Sequence, residues 1–178
     1  SGNQTIRGKG SNDTLWGDTT EGKQGYSDTF VFEKSLKDNG VDTIKDYHWS
    51  ETGSDGLGKD VLDLTAPLKS FKYALKANPN ASINDYVRLE QGSGGMKLMV
   101  DTDGAGGRSA EQWAFLEGLT ASDPVRVRAF TASGSGSGPD LGDGYYTIPD
   151  EPAVPDYITV GRQGMWFDSN EDGQLNGD

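Results

Sequence analysis

A chain with a net charge of −12 and not one cysteine has to hold its shape against its own repulsion, and without a disulfide. Twenty-eight Asp and Glu stand against sixteen Lys and Arg. That balance argues against nucleic acid, because phosphate recognition needs clustered Lys and Arg. It also argues against docking on an anionic membrane. Acidity has two readings, solubility or a store of ligands for hard divalent cations. The second is favoured because many Asp sit beside Gly and Asn in turn-like runs. A cysteine-free chain points to the cytosol, unless it is exported and stapled by metal instead. Extracellular calcium is about millimolar and fills even weak sites of outside modules. An ion bound only by the fold stabilises the fold. No segment approaches 18 consecutive apolar residues, so no membrane insertion is expected. Residues 1–5 lack the basic and apolar regions of a secretory signal and read as a cut edge.

With 33% hydrophobic residues and 26 Gly, the composition predicts many short strands joined by tight turns. Residues 6–18 read as a turn followed by a short strand, with Leu15 facing inward. Asp28-Thr-Phe-Val-Phe, Val41-Asp-Thr-Ile and Val61-Leu-Asp-Leu are strand signals. Residues 86–90 and 96–100 read as a hairpin around Gln91-Gly-Ser-Gly-Gly. Residues 113–116 and 125–130 give two more strands, the second with clear alternation. The spacing of Leu68, Phe71, Ala74 and Leu75 predicts one short amphipathic helix over 66–78, ended by Asn78-Pro79. The expected fold class is mainly β, a calcium-stabilised β-sandwich with one short helix. No fixed period is visible, which argues against a solenoid.

Residues 133–138, Ser-Gly-Ser-Gly-Ser-Gly, have linker composition. The run is either a natural loop or an engineered splice where a loop or whole domain once sat. The module is therefore read as one unit over 1–178, with a first segment 6–132 and a second 139–178. Residues 139–157 are Pro- and Asp-rich and predicted irregular, and 157–160 and 164–167 are predicted as the last strands.

The clearest local site is Asp168-Ser-Asn170-Glu-Asp172-Gly-Gln174-Leu-Asn176-Gly-Asp178. Oxygen side chains at positions 1, 3 and 5 followed by Gly form the first half of an EF-hand-like loop. No Glu stands at position 12, so Asn176 or Asp178 completes the set, or the ligand lies elsewhere. Asp101-Thr-Asp103-Gly-Ala-Gly-Gly places two carboxylates one residue apart before a Gly turn. It reads as a second calcium site or as a plain Asp-Gly turn. Gly8-Lys-Gly-Ser-Asn-Asp13-Thr-Leu-Trp has the pattern of a calcium β-roll turn, with Lys9 and Ser11 where Gly is expected. The next such word begins at Asp28, too far on for a regular roll, so this turn is expected to cap a sandwich without forming a roll.

Catalysis is poorly supported. His48 is the only histidine, no Cys nucleophile exists, and no Gly-x-Ser-x-Gly elbow or phosphate loop appears. The chain is not expected to be an enzyme. Tyr145 and Tyr146, beside Gly and Asp in an expected loop, are the aromatic candidates for binding a sugar or peptide.

Several words in order resemble the C-terminal region of repeats-in-toxin (RTX) proteins exported by type I secretion, particularly the giant bacterial adhesins. They are Gly10-Ser-Asn-Asp-Thr-Leu-Trp-Gly-Asp, Ser27-Asp-Thr-Phe-Val-Phe, Val41-Asp-Thr-Ile-Lys-Asp-Tyr, Gly58-Lys-Asp-Val-Leu-Asp-Leu, Val100-Asp-Thr-Asp-Gly-Ala-Gly-Gly and Phe115-Leu-Glu-Gly-Leu. The resemblance implies a cell-surface protein, secreted unfolded and folded by calcium outside the cell, with Asp13 as a calcium-site residue. It implies support of adhesion and biofilm formation through a sugar or peptide on other cells. It also implies a split form with a ligand-binding domain inserted, here at 133–138. The module is expected to be a monomer within a larger chain. Two alternatives remain, a purely structural spacer and a terminal secretion domain. Some 58 residues follow Thr120, which favours an internal module over the terminal one.

Overall fold

Short Asp-Thr-x-apolar words set the first half of the fold. In each, Thr turns outward and the apolar residue turns inward, the period-2 alternation of a half-buried strand. The structure, a computed structural model, describes residues 3–17, 26–48, 59–104, 110–133 and 140–148. Within it the words become β2 (Thr14–Leu15), β3 (Thr29–Val31) and β4 (Asp42–Ile44). Strands β1 (Thr5–Ile6) and β5 (Val61–Asp63) bracket them.

Successive strands go to opposite sheets. β1, β3 and β5 stack in parallel in one sheet, and β2 and β4 stack in parallel in the other. The chain therefore coils, rung above rung. This differs from the expectation of no solenoid and of a lone capping turn. The rung-opening acids stand at Asp13, Asp28, Asp42 and Asp60, at unequal intervals. Parallel pairing fixes strand register only, so the connecting loops absorb the unequal lengths.

The second half is antiparallel. β6 (Val87–Gly92), β7 (Gly95–Val100) and β8 (Glu111–Glu117) form a meander, and β8 pairs in parallel with β4. β9 (Val125–Ser133) and β10 (Asp140–Ile148) form a hairpin, and β9 pairs in parallel with β5. Two five-stranded sheets result, ordered β1-β3-β5-β9-β10 and β2-β4-β8-β7-β6. The fold is mainly β, as the composition predicts.

Two helices accompany the sheets. α1 (Leu36–Asn39) was not predicted; Ser35 caps it, its hydroxyl accepting from the Asp38 N–H. α2 (Lys69–Ala77) is the predicted amphipathic helix, burying Phe71 and Leu75. Phe71 packs on Tyr86 and Tyr146, with ring centroids 5.0 and 5.9 Å apart. The core joins both sheets through Phe30, Ile44, Leu62, Leu98, Leu116 and Val127.

One segment corrects the irregular stretch expected over 139–157. Residues 140–148 form β10, paired with β9 along its whole length. The linker at 134–139 and everything from 149 onward, including the strands predicted at 157–160 and 164–167, lie outside the described residues.

Candidate functional site

The Asp that opens each rung sits on the turn edge of the coil. Its carboxylate reaches back one rung. Asp28 Oδ1 accepts from the Gln4 N–H at 2.7 Å, and Asp60 Oδ1 from the Asp28 N–H at 2.9 Å. Asp42 Oδ1 accepts from the Asp13 N–H at 3.0 Å, and Asp46 Oδ1 from the Gly17 N–H at 2.8 Å. The residues before Asp13 and Asp28 run the other way. Asn12 Oδ1 accepts from the Val41 N–H at 2.8 Å, and Ser27 Oγ from the Lys59 N–H at 2.9 Å. Neighbouring rungs are thus clamped in both directions. Each bond to a carboxylate is of the charge-assisted kind that is stronger than a neutral one.

Two groups of carboxylates follow from this geometry. At the edge where β2 and β4 begin lie Asp13 and Asp42. A Cβ placed on Gly8 would stand 2.8 Å from Asp42 Oδ2 and 3.1 Å from Asp13 Oδ2, so both oxygens converge on the space that glycine leaves. Asp13 Oδ2 is buried without a hydrogen-bond partner. Burial pushes the Asp42 carboxyl up to about 6; the Asp13 N–H opposes that rise and the Asp13 charge adds to it. At the opposite edge lie Asp28, Asp46 and Asp60. Asp60 is 3% exposed. Burial pushes it up to about 7, against the N–H groups of Asp28 and His48 and with help from the charges of Asp28 and Asp46.

A hard divalent cation wants six to eight oxygens, several of them carboxylate. Among the described residues, no three acidic or imidazole side chains form a ready-made ligand set. The Asp13–Asp42 pair still fits such an ion in two respects. It holds an orphaned buried oxygen, and it sets two like charges together, with the Asn39 amide donating to Asp42 Oδ2 at 3.4 Å. These two carboxylates would hold the ion, which would supply charge neutralisation between rungs.

The other residues singled out in the sequence lie elsewhere. Asp101 is buried, and its Oδ1 accepts from the N–H groups of Asp103 and Gly104, both at 3.1 Å. Those are the bonds of an Asx turn. Asp103 is exposed in the same turn. Neither joins Asp13. Tyr145 and Tyr146 stand on β10 rather than in a loop, and alternation sends them to opposite faces. Tyr145 is 55% exposed, with the Arg126 guanidinium 4.1 Å from its ring centre. Tyr146 is half-buried, and its hydroxyl donates to the Phe130 carbonyl. Asp168, Asn170, Asp172, Gln174, Asn176 and Asp178 lie outside the described residues. His48 borders a cavity of about 230 Å³ with Tyr47, Leu119, Asp123 and Pro124, and Asp60 Oδ2 accepts from its backbone N–H at 2.8 Å.

Sequence reading missed Asp28, Asp42, Asp46 and Asp60 as site residues. For Asp28, Asp42 and Asp60 the available signal was an Asp immediately before, or opening, a strand word; Asp46 follows β4 and carried no such signal. Comparison with protein-family models, with curated proteins and with solved structures finds no match to this chain.

Proposed function

We propose that this chain is a calcium-dependent, extracellular β module of a bacterial RTX adhesin, exported by type I secretion. It serves surface adhesion and biofilm formation by binding or presenting a ligand site, not by catalysis. The observation that carries the reading is the convergence of Asp13 and Asp42 on the space beside Gly8, with Asp13 Oδ2 orphaned. Calcium there joins the turn of one rung to the next and removes the repulsion between the buried Asp42 and the half-buried Asp13. Thermal melting in millimolar calcium against excess chelator tests this. The midpoint rises with calcium, and Asp42→Asn lowers the calcium stoichiometry measured by calorimetry. An unchanged midpoint defeats the proposal.

The scaffold version of the reading is favoured at one place. Arg126 covers a face of the Tyr145 ring, and Tyr146 turns toward Phe71. The two tyrosines therefore do not form a shared aromatic platform. A sugar or peptide is then presented to a domain joined at 133–138 rather than gripped by this pair.

A further inference from the structure

α2 breaks the charge pattern of the whole chain. Residues 65–84 contain no Asp or Glu, yet hold Lys69, Lys72 and Lys76, in a chain of net charge −12. Tyr73 lies between them and is 67% exposed, the most exposed of the large hydrophobic side chains described. On a helix, Lys69 is four residues before Tyr73 and Lys76 three after, so the three share one outer stripe. The Lys76 ammonium stands 6.0 Å from the Tyr73 ring centre. Lys72 lies alongside, 5.1 Å from the Phe130 ring centre.

Lys76 lies in the last turn, where a cation suits the helix dipole, but the start of the helix has no such support. Leu68 occupies the N-cap without a side-chain cap bond, and the first turn has no acid. Lys69 sits there instead, against the positive end of the helix dipole. A local rule broken without a local gain marks a site selected for something else. The stripe is also held rigidly, because Leu68, Phe71 and Leu75 on the inner face are buried.

We propose that the outer face of α2 is a docking stripe for acidic carbohydrate, a uronate-bearing glycan. This goes beyond the calcium reading and does not need it. The ring of Tyr73 stacks on the apolar face of a pyranose, and Lys69 and Lys76 pair with carboxylates on either side. The seven-residue separation of the two lysines spans roughly 10 Å along the helix, so the ligand is a short run of a linear chain. A protein partner fits less well. Stable protein interfaces bury about 800 Å² a side around an apolar centre, whereas Tyr73 is a single exposed ring with the Lys76 ammonium beside it and Lys69 one turn before it. Nucleic acid fits less well again, since three lysines neutralise few phosphates and the rest of the chain repels them.

Binding of a short oligogalacturonide to the full chain, at fixed calcium and several salt concentrations, tests the proposal. A neutral malto-oligosaccharide of equal length and polyglutamate serve as rivals. The uronate binds best, Tyr73→Ala weakens it about tenfold, and Lys69→Gln with Lys76→Gln flattens the salt dependence. Lys69→Gln alone weakens binding while slightly raising the melting midpoint, because it removes a misplaced charge from the helix start. A merely structural lysine cannot give that pair of results. Equal binding of the neutral sugar, equal binding of polyglutamate, or a Tyr73→Ala chain that binds as well as the parent overturns the proposal.

Discussion

The two halves of the molecule are stabilised by different physics. In the coil, strands are two or three residues long, and the rungs are held at their turns by side chains reaching for backbone N–H groups. In the antiparallel half, strands run six to nine residues and bury Leu98, Val100, Trp113, Leu116, Val125 and Val127. The coil leans on that half through β4–β8 and β5–β9. Its carboxylate bonds also have a direction, since the later residue always caps the earlier one. A rung near the start of the chain therefore leans on the rung after it, while the antiparallel half, though tied to the coil by the Arg126 N–H donating to the Tyr47 hydroxyl and by the shared core, has long strands of its own. Local opening free energies should rise from β1 and β2 toward β8 and β9.

Gly40→Ala tests whether the coil can fail alone. Gly40 has φ of +78°, and an added Cβ would stand 1.6 Å from the Ser11 carbonyl oxygen. Left-handed strain and forced backbone movement together cost about 3–5 kcal/mol. Hydrogen exchange of this variant loses protection in β2 and β4 but keeps it in β7 and β8. Uniform loss across both sheets would show that the halves unfold as one. The converse is Leu98→Ala, which opens the core of the antiparallel half and costs about 3 kcal/mol. Because the coil leans on that half, protection falls everywhere.

Acidity separates the halves next. Asp42 and Asp60 are raised from 3.8 to about 6 and about 7, and both belong to the coil. The folded chain thus binds more protons than the unfolded chain between about pH 4 and pH 7. By linkage, stability of the calcium-free protein falls as pH rises through that window. Between pH 5 and pH 8 the two shifts at full size amount to about 4 kcal/mol, or roughly 10 °C in midpoint. On the proposed calcium reading, an ion between Asp13 and Asp42 would hold Asp42 ionised and so flatten the part of the slope that Asp42 contributes. Melting at pH 5 and pH 8, each with calcium and with chelator, checks the sign. A chelated protein more stable at pH 8 contradicts it.

The sequence was legible where burial dictates the pattern. Val125-Arg-Val-Arg-Ala-Phe alternates, and Val125, Val127 and Ala129 are indeed the buried face of β9. Leu68, Phe71 and Leu75 fixed α2 for the same reason. The coil was not legible as a repeat, because Asp13, Asp28, Asp42 and Asp60 are unequally spaced and only a three-dimensional register aligns them. β10 was hidden by its glycines. Gly144 looks like a turn residue, but a Cβ there would meet the Thr131 side chain at 2.5 Å, so glycine is what lets β10 lie against β9. Of the candidate site, Asp13 was found from its place in a turn word. Its partner Asp42 was not, because the pair is formed across 29 residues by stacking alone.

The smallest effect concerns the turn that begins the coil. Lys9 has φ of +65°, the one positive value outside glycine among the described residues. It occupies a position where the turn pattern asks for Gly, so the backbone keeps the conformation of the pattern while the side chain departs from it. Left-handed geometry costs a residue with a Cβ about 1–2 kcal/mol. Glycine loses more freedom on folding, by roughly 0.5–1 kcal/mol. Lys9→Gly should therefore stabilise the first rung by about 0.5 kcal/mol net, and this shows as added exchange protection at Thr14 and Leu15 with no change in β7 or β8. A substitution that slows exchange in one rung and leaves the antiparallel half untouched is the finest available measure of how independent the two halves are. If protection in β8 rises equally, the first rung is coupled to the whole core, and the graded opening argued above is replaced by a single cooperative unit.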